Sequence, residues 1–204
     1  MKFYNSVGPN PHMVRMFMAE KGFDVPKVEV DLRGGENRRE AYLKINPAGQ
    51  CPALELDDGT VLAEITAICE YIDEIKKDTP SLIGDTPEER AATRMWVRRI
   101  DLNILEPAAN GFRFSQGLKM FQDRVHCIPE AAEGLKESAR KKLAWLDGQM
   151  GSKPFVTGDK LTMADILLYT FLEFLGKVGQ PLDPANKNLT AWMGRMKARP
   201  SATA

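Results

Sequence analysis

An α/β unit with the order β-α-β-α-β-β-α, followed by an all-helical unit, is the fold class that the sequence predicts. Three observations carry this. Strand-like runs alternate with helical ones only in the first part of the chain; a polar stretch with Pro80, Gly84, Asp85 and Pro87 follows; from Glu88 onward only helical periodicity remains. The boundaries fall at a first domain over 1–78, a linker over 79–87 and a second domain over 88–204.

Lys2–Asn5 reads as a short strand, and Pro11–Lys21 as an amphipathic helix ended by Gly22. Lys27–Leu32 alternates as a second strand, and Arg38–Lys44 is a short helix. Ala53–Leu56 and Val61–Leu62 form a hairpin around Asp57-Asp58-Gly59, and Thr66–Lys76 is the last helix of the domain. Beyond the linker, helices are expected over Glu88–Leu105, around Leu118–Val125, and over Pro129–Met150, Met163–Gly176 and Leu189–Ala198. Trp96, Ile100, Leu102 and Leu105 have the spacing of a buried face, and the last residues, Pro200–Ala204, are expected to fray.

Composition removes several functions. The chain has 204 residues, 43% apolar and 27% charged, with 28 basic against 28 acidic side chains, so no net field draws it to nucleic acid or an anionic membrane. Neither a signal-like start nor a membrane-length apolar run is present, and the expected location is the cytoplasm. Cys51, Cys69 and Cys127 lack metal-ligand or Cys-x-x-Cys spacing, so reduced thiols and no metal are expected. No P-loop, dinucleotide fingerprint or Gly-x-Ser-x-Gly elbow occurs. Arg94, Arg98 and Arg99 read as a solvated face or dimer contact.

The most informative stretch is Asn46-Pro47-Ala48-Gly49-Gln50-Cys51-Pro52-Ala53-Leu54, followed by Leu62-Ala63-Glu64-Ile65. A strand opening at Pro52 belongs at an edge and leaves Cys51 with free backbone groups, while Glu64 marks a helix start whose exposed amides suit an anion. Together they suit a short acidic peptide. Packing inward is favoured for the Cys51 thiol, since peptide pairing uses only its backbone. In the turn Ser6-Val7-Gly8-Pro9-Asn10-Pro11-His12, Asn10 occupies the expected cap position and Pro11 the first helical one. If that turn faces the Cys51 edge, Asn10, Ser6 and orphan helix amides converge where a ligand thiol would lie. Lowering a thiol from ~8.5 to about 6.5 requires about 2.7 kcal/mol, within reach of one charge-assisted hydrogen bond plus a helix N-terminus. Thr162 and Asp165 form a capping box ahead of Ile166-Leu167-Leu168, a folding feature.

Asn46-Pro47-x-Gly49-Gln50-x-Pro52-x-Leu54, Leu62-x-Glu64, Ala67-Ile68-x-x-Tyr71 and Leu161-Thr162-x-Ala164-Asp165 resemble the cytosolic glutathione S-transferases over nearly the whole chain. The resemblance implies a thioredoxin-like first domain, a homodimer, glutathione as substrate rather than a cofactor, and a cis bond before Pro52. It further implies that the Cys51 backbone pairs with the cysteinyl part of glutathione and that Glu64 and the Ile65 amide hold its γ-glutamyl end. Gln50 is expected nearby, with the glycine carboxylate toward Arg38 or Lys44. Ile65 stands where the family usually has serine, and the cysteine of the beta class and the Ser-Ser-Cys-Ser signature of maleylacetoacetate isomerases are absent. Tyr4 aligns with either a catalytic tyrosine or a strand aromatic, and the latter is preferred. Pro9-Asn10-Pro11 is similar to the Pro-Asn-Gly turn of the nu class, with Pro11 in place of glycine. The expected activity is conjugation of glutathione to small apolar electrophiles, with Asn10 and Ser6 activating the thiol and Phe112 and Phe114 on the far wall of an interdomain pocket. The alternatives are a glutathione-dependent disulfide reductase and a non-catalytic module of the same fold.

Overall fold

The computed structural model describes residues 1–204, which divide into two compact units: Met1–Ile83 with Pro200–Ala204, and Gly84–Arg199. The first unit is built on four strands, β1 (Lys2–Asn5), β2 (Lys27–Glu29), β3 (Ala53–Glu55) and β4 (Val61–Leu62), in the order β2-β1-β3-β4. β1 runs parallel to β2 and antiparallel to β3, and β3 is antiparallel to β4. Its helices are α1 (Pro9–Glu20), α2 (Glu40–Leu43) and α3 (Ile65–Ile75). The arrangement is the thioredoxin-like one.

Register explains the two faces of the sheet. Phe3 stands opposite Leu54 and Tyr4 opposite Ala53, so neighbouring residues on each strand point to opposite sides. On one side Tyr4, Ala53 and Cys51 pack with Val30 and Tyr42, and the Tyr4 and Tyr42 rings meet edge-on at 6.0 Å.

Several elements differ in extent from the sequence reading. β2 ends at Glu29 because Asp31 opens a turn, with its carboxylate accepting from the Gly34 amide (2.8 Å) and its carbonyl from the Glu36 amide (2.9 Å). The helix expected over 38–44 is interrupted at Arg39, which is extended (φ −82°, ψ 152°), leaving a 3-10 turn over Glu36–Arg38 and the single turn α2. α1 begins two residues early, at Pro9. It stops as expected at Gly22 (φ 55°), where the Phe23 amide reaches back to Met18 O at 2.9 Å.

One buried ion pair spans this unit. Lys21, only 1% exposed, places Nζ 3.0 Å from Asp73 of α3 and 3.0 Å from the Pro80 carbonyl. Asp73 also accepts from Ser81 Oγ (2.6 Å) and the Leu82 amide (2.8 Å). The end of α1, the last turn of α3 and the segment leaving the unit are therefore held at one point.

The tail does not fray. Pro200–Thr203 form a 3-10 turn with Ser201 and Ala202 buried, 7% and 5% exposed. Ser201 Oγ bonds the Glu20 carboxylate, and the Ala202 and Ala204 carbonyls take bonds from His12 and Arg15 of α1. Buried small residues with paired carbonyls have no reason to be mobile.

The second unit holds α4 (Pro87–Ile100), α5 (Glu106–Arg113), α6 (Leu118–Phe121), α7 (Ala132–Met150), α8 (Met163–Lys177) and α9 (Lys187–Lys197). The sequence predicts no helix at α5, where Pro107 stands as a helix breaker in an interior position. The chain absorbs it with a π turn over Asp101–Leu105, where the Glu106 amide bonds Asp101 O in place of the usual i−4 carbonyl. The extra residue rotates the expected apolar face: Ile100, Ile104 and Leu105 are buried, but Leu102 is turned out at 46% exposure. α5 lies so close to α7 that a Cβ at Gly111 would come within 2.5 Å of Lys136 Cγ. Asp165 at the start of α8 is fully buried and accepts from the Thr162 amide (3.0 Å) and hydroxyl (3.1 Å), the Val156 amide (2.8 Å) and Trp192 Nε1 (2.9 Å). The capping box is thus present, and its carboxylate also ties in α9. Burial lifts this carboxyl to about 6 against the pull of those donors. No helix is long and apolar enough to cross a membrane.

Removing one partner of the Lys21–Asp73 pair strands the other in the interior. Lys21→Met is expected to cost about 3–5 kcal/mol of stability, read from the urea midpoint, and a paired Lys21→Met, Asp73→Leu change less than the sum of the single ones.

Candidate functional site

Strand order gathers the candidate residues. The last residues of β1 lie beside the first residue of β3, since Tyr4 pairs Ala53, and β4 runs from opposite Glu55 to opposite Leu54. The segments that continue past those points are Ser6–Asn10, Cys51–Pro52 and Ala63–Ile65, so all three emerge at one end of the sheet.

At the centre is Cys51–Pro52, joined by a cis peptide bond, as the resemblance implied. The Cys51 amide and carbonyl make no backbone hydrogen bond, whereas the preceding carbonyls are held inward. Tyr42 Oη and Asn46 Nδ2 both donate to Gln50 O at 2.8 Å, and Asn37 Nδ2 donates to Gly49 O. The loop is anchored on one side and left open at Cys51. The thiol is inside, as favoured from sequence: Cys51 is 7% exposed and its Sγ–H donates to Tyr42 Oη at 3.1 Å. Burial pushes its pKa up, opposite to the shift a nucleophilic cysteine needs. Gln50 itself is exposed at the same edge.

On one side stands the start of α3. Glu64 is the residue before the helix and the chain's one non-glycine residue at positive φ (67°), with no side chain capping the turn. The first helical bond is from the Ile68 amide to Glu64 O, so the Ile65, Thr66 and Ala67 amides are unused within the helix. Three free amides beside a non-glycine residue in a rarely populated conformation, itself costing about 1–3 kcal/mol, make a place for an anion. Ile65 offers no hydroxyl, but Thr66, one position on and partly exposed, does. Sequence reasoning gave Thr66 no role; its place in the first helical turn was the available signal.

On the other side is the start of α1, which differs from expectation. The residue before the helix is Gly8 (φ 111°, ψ 171°), and Pro9, Asn10 and Pro11 are the first three helical residues, so Asn10 lies inside the turn and is not its cap. Gly8 takes this conformation without a Cβ to oppose it, which moves the helix start forward. Proline has no N–H, and the His12 amide bonds Gly8 O at 3.2 Å. The expected cluster of orphan amides is thereby reduced to one, that of Asn10, supplemented by its partly exposed side chain.

Ser6 is also differently engaged. It is 5% exposed and its hydroxyl donates to Val30 O at 2.6 Å, which commits its single proton to the sheet. Tyr4 donates to Glu55 at 2.6 Å, and burial with that bond holds its pKa up, in agreement with a strand aromatic rather than a catalytic tyrosine. A cleft of about 340 Å³ lies beside Ser6 and Val7, lined also by Glu29, Asp31, Arg33 and Glu36.

The two cations expected near a terminal carboxylate, Arg38 and Lys44, are engaged differently, and the Arg38 guanidinium lies over Gly35, with Nη2 3.2 Å from where a Gly35 Cβ would stand. Arg38 lies alongside Gly49, with Cγ 3.8 Å from where a Gly49 Cβ would stand. Lys44 pairs with Glu40 at 2.8 Å. Phe112 packs edge-on against Phe121 (6.0 Å) and Phe174 (5.5 Å) within the helical unit, and Phe114 is buried.

If Cys51 serves through its backbone, its thiol is dispensable for binding. Cys51→Ala is expected to keep glutathione affinity within about twofold while losing about 1 kcal/mol of stability with the Tyr42 bond, and iodoacetamide is expected to label half-buried Cys127 ahead of Cys51 and Cys69. Calorimetry and peptide mapping check both.

Known proteins share the sequence pattern and the fold of this chain. Family models for the glutathione S-transferase N-terminal domain and C-terminal domain match residues 7–75 and 129–195. The chain is 35% identical over 201 residues to glutathione S-transferase 2 of Saccharomyces cerevisiae, covering 95% of this chain and 84% of that protein. The crystal structure of Gtt2 from Saccharomyces cerevisiae superposes with a TM-score of 0.89 at 33% identity, covering 100% of this chain and 99% of that one. A further relative, human elongation factor 1-gamma, is 34% identical over 152 residues, 74% of this chain but 32% of the relative.

Proposed function

This chain belongs to the glutathione S-transferase family, and from that premise we propose that it is an enzyme conjugating the glutathione thiolate to small apolar electrophiles, with Asn10 as the thiolate donor. The observation that carries the reading is the shared position of three features at one sheet end: the unpaired Cys51 backbone, the free amides of α3 and the single free amide of α1. The cysteinyl part of glutathione pairs with Cys51 as an added strand. Its γ-glutamyl carboxylate takes the Ile65 and Thr66 amides, its amine meets Glu64, Gln50 flanks it, and its glycine carboxylate lies toward Arg38.

Asn10 contributes a backbone N–H and a carboxamide N–H to the sulfur. A charge-assisted bond contributes roughly 1.5–3 kcal/mol, or about one to two pKa units. The thiol proton leaves to solvent, the thiolate forms the S–C bond, and the leaving group departs with its electron pair. Ser6 supports the turn through Val30 rather than touching the sulfur.

The same thiolate directed at a disulfide gives the reductase alternative, supported by the similarity of the Asn10 turn to the nu class; parallel assays on one preparation distinguish them. The third reading, a binding module, draws on Ile65 and on the likeness to elongation factor 1-gamma. Absence of calorimetric heat at millimolar glutathione, with the protein folded, would favour it over both enzymes.

A homodimer through α4 and the π turn after it fits the exposed Met95 of the helix and Leu102 of the turn, which lie 41% and 46% open. Sedimentation is expected to give twice 22.8 kDa, and Met95→Glu to shift it toward the single mass.

Asn10→Ala removes the carboxamide donor. Since the thiolate is the form it stabilises, the pH of half-maximal conjugation with a chlorodinitrobenzene-type electrophile is expected to rise by about one to two units. An unchanged profile and rate would remove the Asn10 carboxamide from the mechanism.

A further inference from the structure

The tail and the proposed sulfur-binding turn, some 190 residues apart in sequence, are joined by one guanidinium. Arg15 of α1 donates from Nη1 to Asn5 Oδ1 (2.7 Å) and to Ser6 O (3.2 Å), and from Nε to Ala204 O (3.0 Å). Asn5 is in turn fixed by its own amide to Glu29 (2.6 Å), and Ser6 by its hydroxyl to Val30 O (2.6 Å). His12, two residues beyond Asn10, places Nε2 3.0 Å from Ala202 O, and Ser201 fastens to Glu20 at the far end of the same helix. The tail therefore touches α1 near its start, at its middle and at its end.

We propose that residues 200–204 are a strap that positions the α1 start, and with it Asn10, through Arg15 and His12. The physical case is one of stiffness. Gly8 and exposed Val7 (57%) form a loop tip with little packing of its own, so what sets the first turn of α1 is the helix behind it and the Asn5–Ser6 backbone before it. Arg15 grips that backbone directly, and its other face is satisfied by the tail. Arginine suits the task because its planar fork fixes three acceptors in one orientation, which a lysine point charge does not. Burial disfavours its charge, so the loss of a carbonyl partner is felt by the remaining contacts.

The glutathione-holding groups on β3 and α3 receive none of these bonds. Loosening the strap is therefore expected to disturb the sulfur more than ligand binding. The inference rests on Asn10 as the donor, and misplacement of a reacting group by about 1 Å can cost 10²-fold in rate.

Arg15 and His12 are positioning residues, and the readout is the ultraviolet titration of the thiolate of glutathione bound to the 204-residue chain. Arg15→Met, and separately Ala202→Glu to expel the strap, are expected to raise the bound-thiol pKa by about half a unit or more. They should lower kcat about tenfold and leave the glutathione Kd within about twofold. Arg15→Lys should recover part of the pKa shift. A strap that serves stability alone would lower Tm while leaving that pKa in place, and such a result in a variant with native circular dichroism overturns the proposal. The Asn10→Ala titration separates the two ideas. If it moves the bound-thiol pKa and the strap variants do not, the strap fails alone. If Asn10→Ala leaves it in place while the strap variants move it, the carboxamide fails as donor and the strap acts through the Asn10 backbone N–H, which the substitution keeps.

Discussion

The buried contact between Lys21 and Asp73 is the constraint on which the rest of the first unit depends. A charged pair so deep in the protein is stable only when its remaining hydrogen-bonding capacity is filled, and here the Pro80 carbonyl, the Ser81 hydroxyl and the Leu82 amide fill it. The pair follows the last turn of α1 and lies in the last turn of α3, so it clamps the rear of both helices. Their front ends are the two that present free amides. A fixed rear contact turns two separate helix starts into one frame with a set span, which a ligand bound at both ends requires.

The helical unit is organised by the same logic with a different group. Asp165 draws its own helix start, the Val156 loop and Trp192 of α9 onto one carboxylate. The capping box was legible because Thr162 and Asp165 carry it at a fixed spacing. The indole and the loop amide were not, since they come from elsewhere in the chain. The same limit explains α5: Pro107 argues against helix locally, and only the π turn upstream reconciles it with the packing of Gly111 against Lys136.

In the first unit, strand alternation and the Gly22 stop made most of the fold readable. The motif around Pro52 and Glu64 pointed to the candidate site because backbone requirements leave marks in sequence: a proline at an edge, a carboxylate before a helix. Side-chain engagement leaves no such mark. Ser6 and Asn10 look equivalent as donors in the sequence, yet one hydroxyl is spent on Val30 O and the other group remains available. Likewise Tyr42 looks like one more core aromatic, and its hydroxyl is what bridges Cys51 Sγ and Gln50 O. Lys44 and Arg38 are both cations on a short helical segment, and a single extended residue, Arg39, sends them different ways.

The two prolines around Asn10 have a consequence for competition by small ions. A helix start ordinarily attracts any phosphate or sulfate in solution, and α3, with three open amides, retains that property. α1 has surrendered it, because Pro9 and Pro11 present ring carbon where N–H groups would be. In the glutathione pose proposed above, inorganic anions would therefore contest the γ-glutamyl end of the ligand but have no comparable foothold beside the sulfur.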